Sequence, residues 1–128
     1  MTLSWQTVVA VGCGGFLGAI ARVYLNSIIT KALPHDFPFG ILTVNVLGSF
    51  FIGILFAIFI HYNINESAKA FLTSGFLGAL TTYSTFAIES FFLLETSFLL
   101  GVANMFFNLF GTILAAGSGY KIFMFFLK

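Results

Sequence analysis

Hydrophobic residues run along this chain in four long blocks, divided by short clusters of polar residues, prolines and charges. One helical crossing of a bilayer takes roughly 20 apolar residues, and the blocks at about residues 5–29, 39–61, 68–94 and 98–126 each reach that length. The first divider, residues 30–38, carries Lys31, Pro34, His35, Asp36 and Pro38, and prolines and charges this close together predict a solvent-facing turn. The second, Tyr62-Asn63-Ile64-Asn65-Glu66-Ser67, is polar and offers Asn65 or Ser67 as the cap of the next helix. Glu95-Thr96-Ser97 predicts a short turn before the last block. The pattern therefore predicts an all-α membrane protein, a single domain over residues 1–128 with four transmembrane helices, without a soluble domain, a long linker or an internal repeat.

The third block departs from the others. Gly75, Gly78, Thr81, Thr82, Ser84 and Thr85 crowd its middle. Glycine weakens a helix, and hydroxyls compete for backbone groups that helical bonds would use. The expectation is a third helix broken at mid-membrane near residues 78–81. Irregular backbone at that depth survives only where it faces protein, water or an ion.

Composition sharpens this reading. The chain is 59% hydrophobic and only 7% charged, where a soluble domain is about a quarter charged, so its main solvent is lipid. A net charge of +1 leaves no basic surface for nucleic acid. Cys13 is the one cysteine, which excludes an internal disulfide, and its neighbours Gly12 and Gly14 suggest a small residue at a tight helix contact. Ala19-Ile20-Ala21 imitates a signal-peptide cleavage site, but no basic residue precedes that block and three more follow, so it reads as a retained helix. Positive residues concentrate on the cytoplasmic face of a membrane. Here the chain ends and middle loop hold Lys69, Lys121 and Lys128 against Arg22 and Lys31 on the other side, a bias of three to two. So weak a bias is compatible with subunits inserted both ways up and paired antiparallel, and equally with one orientation set by lipid or an insertion factor.

Several constellations carry candidate chemistry. Gly14 and Gly18, Gly48 and Gly53, and Gly111, Ala115 and Gly119 are small surfaces that let helices approach closely in lipid. Asn104, Asn108 and Thr112 are four residues apart and share one helical face, which must bond to neighbouring helices or line an ion path. Tyr83 and Phe86, beside Ser84 and Thr85, are ordinary packing aromatics in a chain with 19 Phe, yet ring edges are positive and face anions in a dry passage. Asn45 is a buried packing amide or a donor to a passing anion. Arg22 snorkels to the interface or attracts anions at a pore mouth. Glu89 is an intramembrane carboxylate, a functional candidate by default, and shares a face with the hydroxyls of Thr82 and Thr85, which are placed to hydrogen-bond it. No nucleotide loop or zinc-type histidine pair is present, and nothing suggests an enzyme.

These motifs are ordered along the chain. The first block reads Gly14-x-x-x-Gly18-Ala19-x-x-Arg22, the second Gly40-x-x-x-x-Asn45-x-x-Gly48, and the third Gly75-Phe76-Leu77-Gly78-Ala79-Leu80-Thr81-Thr82-Tyr83-Ser84-Thr85-Phe86 followed by Glu89. Over essentially its whole length the chain resembles the Fluc (CrcB) family of fluoride channels, and the third motif is the most specific. The resemblance implies a multi-pass protein of the bacterial inner membrane, an antiparallel, dual-topology homodimer with two fluoride paths. It implies that Asn45 donates to fluoride in a polar vestibule, that Tyr83 and Phe86 stand at the ring positions flanking the ions, and that Ser84, Thr85, Asn108 and Thr112 continue a polar track. Arg22 would sit near the vestibule, and backbone carbonyls of Gly78 and Thr81 would hold a structural sodium ion, Na+, at the dimer centre. This chain differs from the family pattern at Tyr83, in place of phenylalanine, at Ile41, where many members have threonine, and at Ala79, in place of a common glycine.

The leading functional expectation is passive, fluoride-selective export from the cytoplasm. Its rivals are a small proton-coupled multidrug-type cation exporter using Glu89, and an assembly subunit whose polar stripe only joins helices.

Overall fold

The computed structural model of the chain describes residues 3–127, so Lys128, counted above in the charge balance, lies outside the described residues. Four helical segments are long and apolar enough to cross a membrane: Trp5–Ala32, Phe39–His61, Glu66–Thr96 and Phe98–Leu127. The first is α1 (Trp5–Ala32) and the second α2 (Phe39–His61). The third begins as α3 (Glu66–Ala70), widens into a π-helical stretch (Phe71–Leu77), makes one more turn as α4 (Gly78–Leu80) and resumes as α5 (Tyr83–Thr96). Between α4 and α5 the backbone is extended at Thr81 (φ −89°, ψ 158°) and Thr82 (φ −149°, ψ 121°). The last helix is α6 (Phe98–Leu127).

Two boundaries differ from those expected. Helix α1 runs on through Thr30 and Lys31, because the stop signal is Pro34 and a proline acts on the residue before it. Leu33 is accordingly extended (φ −117°, ψ 162°), and nothing upstream forces coil. The expected turn Glu95-Thr96-Ser97 is one residue long: Glu95 and Thr96 are helical and Ser97 alone reverses the chain. Ser97 bonds both ways, its N–H to the Leu93 carbonyl at 2.6 Å and its hydroxyl accepting from the Leu100 N–H at 3.4 Å. Of the two candidate caps for the third crossing, Asn65 serves, accepting from the Ala68 N–H at 2.8 Å, while Ser67 lies inside α3.

The burial pattern inverts that of a soluble protein. Thr7, Asn45, Thr82, Ser90, Asn104 and Asn108 are buried, while large apolar side chains such as Phe16, Phe56, Phe92 and Leu114 face outward. In lipid the apolar surface has nothing to gain from burial, so contact comes from close packing and interior hydrogen bonds. Glycines make that contact. A Cβ on Gly53 of α2 would run into the Ala116 carbonyl of α6, and one on Gly119 of α6 into the Phe50 carbonyl of α2. On the other side of the bundle α1 packs on the π-helical stretch: Gly14 meets the Phe71 carbonyl, Gly18 the Phe76 carbonyl, and Gly75 lies under Val11 and Gly14. Inside that stretch the Gly78 N–H reaches the Thr73 carbonyl as well as that of Gly75, and the Thr73 hydroxyl bonds the Lys69 carbonyl at 2.7 Å. Cys13 is exposed, not set in the tight helix contact its glycine neighbours suggested, because Gly14 occupies the contact face.

A methyl group at Gly53 is therefore expected to be destabilising. Gly53→Ala should lower thermal stability in detergent by roughly 1–3 kcal/mol through overpacking. Gly117→Ala, where nothing lies within 4 Å of the added carbon, should leave the melting curve unchanged or raise it; equal losses at both positions would contradict the packing described.

Candidate functional site

The extended residues Thr81 and Thr82 leave backbone groups that a continuous helix would satisfy. The Thr82 N–H, whose helical partner would be the Gly78 carbonyl, donates to Asn45 Oδ1 at 2.8 Å. In return Asn45 Nδ2 donates to the Thr82 carbonyl at 3.1 Å. One amide on α2 thus pairs with both backbone groups of one residue on the third crossing. It reaches there because Gly48, one turn further along α2, has no side chain and leaves room for the Thr81 side chain. The Thr82 hydroxyl starts α5, accepting from the Thr85 N–H at 3.2 Å, which takes away the donor the Thr81 carbonyl would otherwise meet. The carbonyls of Gly78 and Thr81 are therefore among those freed from helical partners where α4 ends.

Asn45 uses its second amide hydrogen on Asn108 Oδ1, at 3.0 Å. Asn108 Nδ2 donates onward to the carbonyl and Oδ1 of Asn104, at 2.9 and 3.0 Å, and Asn104 Nδ2 donates to the Ser90 hydroxyl at 2.9 Å. The amide stripe on α6 is thus tied to α2 and to α5. Asn104 is only 1% exposed, and an amide so deep without partners would cost about 1–3 kcal/mol or more.

Beside this network lies a cavity of about 620 Å³. Asn45, Thr81, Tyr83, Phe86, Asn108 and Thr112 line it. The rings of Tyr83 and Phe86 meet nearly edge to face, centroids 5.3 Å apart at 70°. Tyr83 is 80% exposed, so the cavity has an open side on this chain. Asn104 stands behind its wall and does not line it. Ser84 and Thr85 do not line it either; their hydroxyls lie 3.4 and 3.2 Å from that of Thr82. Thr112 lines it but donates its hydroxyl to the Asn108 carbonyl at 2.6 Å.

Glu89 is elsewhere. It borders a second cavity of about 420 Å³ with Asn26, Thr30, His35, Asp36 and Thr96. The hydroxyls of Thr82 and Thr85, expected to bond it, bond each other, because Thr82 is the cap of α5 and turns its side chain back onto the helix start. Glu89 Oε1 is buried without a partner among the described residues, as is Arg22 Nε. Arg22 lines neither cavity. Sequence reasoning passed over Ser49 and Ser90, both on the wall of the larger cavity. The signal was present: Ser49 follows Asn45, and Ser90 follows Phe86, by one helical turn.

Among the described residues no three His, Cys, Asp or Glu side chains cluster at metal-ligand distance, so a cation here would have to meet carbonyl and hydroxyl oxygens. The freed Gly78 and Thr81 carbonyls are such oxygens, hard donors that suit sodium.

The sequence profile of the family described as CrcB-like protein, Camphor Resistance (CrcB), matches residues 9–120. A Sulfurimonas denitrificans protein named Fluoride-specific ion channel FluC is 55% identical over 94% of this chain and 95% of its own. Proteins of the same name from Nautilia profundicola and Campylobacter lari are each 40% identical, over 93% and 91% of this chain and 94% and 97% of theirs. With four membrane-crossing helices and a family match over most of its length, this multi-pass membrane protein belongs to the CrcB family.

Proposed function

We propose that the chain is a subunit of a fluoride-selective channel of the bacterial inner membrane, through which fluoride leaves the cytoplasm passively. The observation that carries this reading is a cavity lined by uncharged amide and hydroxyl side chains and by the rings of Tyr83 and Phe86, in a chain whose relatives' names specify fluoride. A small halide gives up its water only if other donors replace it, and it leaves again only if no full charge traps it. Hydroxyls, amides and the edges of Tyr83 and Phe86 meet both conditions, and no lysine or arginine among the described residues lines the cavity. The exporter reading gains no support, since Glu89 borders the other cavity and the relatives carry the channel name.

In this reading the extended pair Thr81–Thr82 is a break in the third span at mid-membrane, and Asn45 is its clamp. Because both amide hydrogens of Asn45 already have protein acceptors, its main task is to hold the opening; it meets an anion only by releasing Asn108. The open side of the cavity is closed by a second, antiparallel copy of the chain, which gives a dual-topology homodimer with two equivalent paths. Sodium at the dimer centre would be held by the Gly78 and Thr81 carbonyls of each subunit, tying the two breaks together. Arg22, Ser84, Thr85 and Glu89 flank the paths without lining the cavity itself.

Liposomes loaded with potassium fluoride and carrying the purified protein should release fluoride rapidly when valinomycin is added, and should retain chloride when loaded with that salt. Retention of both anions would overturn the reading. Phe86→Ile removes the ring edge while keeping a sizeable apolar side chain, and should slow release about tenfold or more, the scale of one lost interaction of roughly 1.4 kcal/mol, with the dimer intact by size-exclusion chromatography. Asn45→Asp keeps the acceptor for the Thr82 N–H but sets an oxygen against the Thr82 carbonyl and loses the donor to Asn108. Its liposomes should release fluoride no faster than protein-free ones; unaltered release would remove Asn45 from the role of clamp.

A further inference from the structure

We infer that the Ser90 hydroxyl is a direct hydrogen-bond donor to the anion in the larger cavity, held at the positive end of a one-way chain of amides; this rests on the fluoride reading above. The direction of the chain follows from backbone groups at both ends. A backbone N–H only donates and a carbonyl only accepts, so Thr82 obliges Asn45 to turn its oxygen to the N–H and its nitrogen to the carbonyl. The remaining Asn45 hydrogen points to Asn108, which must answer with oxygen. The Asn104 carbonyl independently requires the nitrogen of Asn108 on its other side. Asn104 Oδ1 also faces that nitrogen, which leaves Asn104 Nδ2 for Ser90.

The Thr82–Asn45 pair is reciprocal, and every link beyond it runs one way, from Asn45 through Asn108 and Asn104 to Ser90. Ser90 Oγ is the acceptor of the last link, so its own proton points away from the chain. A helical serine commonly gives that proton to the carbonyl one turn back; here the Asn104 bond is the one hydrogen bond of the Ser90 side chain among the described residues. Thr112, by contrast, donates its proton to a carbonyl, and the Asn45 hydrogens are both engaged. Ser90 lies on the cavity wall one turn from Phe86 and is only 5% exposed, so an ion in contact with it is largely stripped of water. Hydrogen bonds aligned head to tail polarise one another, which makes this hydroxyl a stronger donor than an isolated one while the site stays neutral.

The test is fluoride release from liposomes carrying the full-length protein, with the half-saturating fluoride concentration measured for each variant. Ser90→Ala should release fluoride about tenfold more slowly, the usual worth of one uncharged donor, and should need more fluoride for half-maximal rate. Ser90→Thr, which keeps the hydroxyl, should stay within about twofold of the unaltered protein. Ser90→Ala conducting at the unaltered rate overturns the inference, as does equal slowing by Ser90→Thr. If Ser90→Ala yields no folded dimer, Ser90→Cys decides, since it keeps the shape with a weak donor: slowing supports the role and an unaltered rate overturns it. Failure of the underlying reading looks different, because the unaltered protein would then retain fluoride, and both proposals would go together.

Discussion

The pairing of the Asn45 amide with the N–H and carbonyl of Thr82 is the contact on which the rest of this molecule depends. Without it, two extended residues within an apolar crossing would leave backbone groups unpaired, each at a cost of several kcal/mol in hydrocarbon. With it, α5 begins afresh from the Thr82 cap, Tyr83 and Phe86 are presented at the start of a new helix, and the Gly78 and Thr81 carbonyls are released. The same amide reaches Asn108 and so ties α2 to α6. Three crossings thus meet at one side chain, and the cavity lies beside that meeting point.

Two different kinds of contact share the work of assembly. The glycine faces carry no polarity; they bring α2 onto α6 and α1 onto the π-helical stretch closely enough for backbone atoms to touch. The buried amides then supply direction, since hydrogen bonds fix relative rotation where dispersion alone would tolerate sliding. Gly48 belongs to both sets: its missing side chain seats Thr81 against α2, which is what places Thr82 within reach of Asn45. The outcome is a helical bundle with a polar interior, an apolar exterior and a cavity open on one side.

The two cavities divide the candidate residues by chemistry. The larger is lined by amides, hydroxyls and aromatic rings, with no charged side chain among the described residues, while the carboxylate of Glu89 lies with Asn26, His35 and Asp36 at the other. A helical-face argument put Glu89 with Thr82 and Thr85; Thr85 and Glu89 do share a face of α5, but Thr82 is a cap with extended backbone, and the two threonine hydroxyls bond each other and not Glu89. The same argument correctly placed Asn104, Asn108 and Thr112 together, because α6 is unbroken through them.

By itself the sequence determined the number and approximate limits of the membrane crossings, because a bilayer demands about 20 apolar residues per helix and tolerates little else. It also marked the small residues of α1, α2 and α6 and the amide stripe, since those follow from residue type and the period of one helix. Only the tertiary structure decided which partner each amide takes, that Ser49 and Ser90 stand on the cavity wall while Asn104 stands behind it, and that the third crossing widens into a π-helical stretch against Gly14 and Gly18. Those outcomes hinge on contacts between residues far apart in the chain, 37 positions for Asn45 and Thr82 and 63 for Asn45 and Asn108. The periodicity of a single helix holds no record of the helix it will meet.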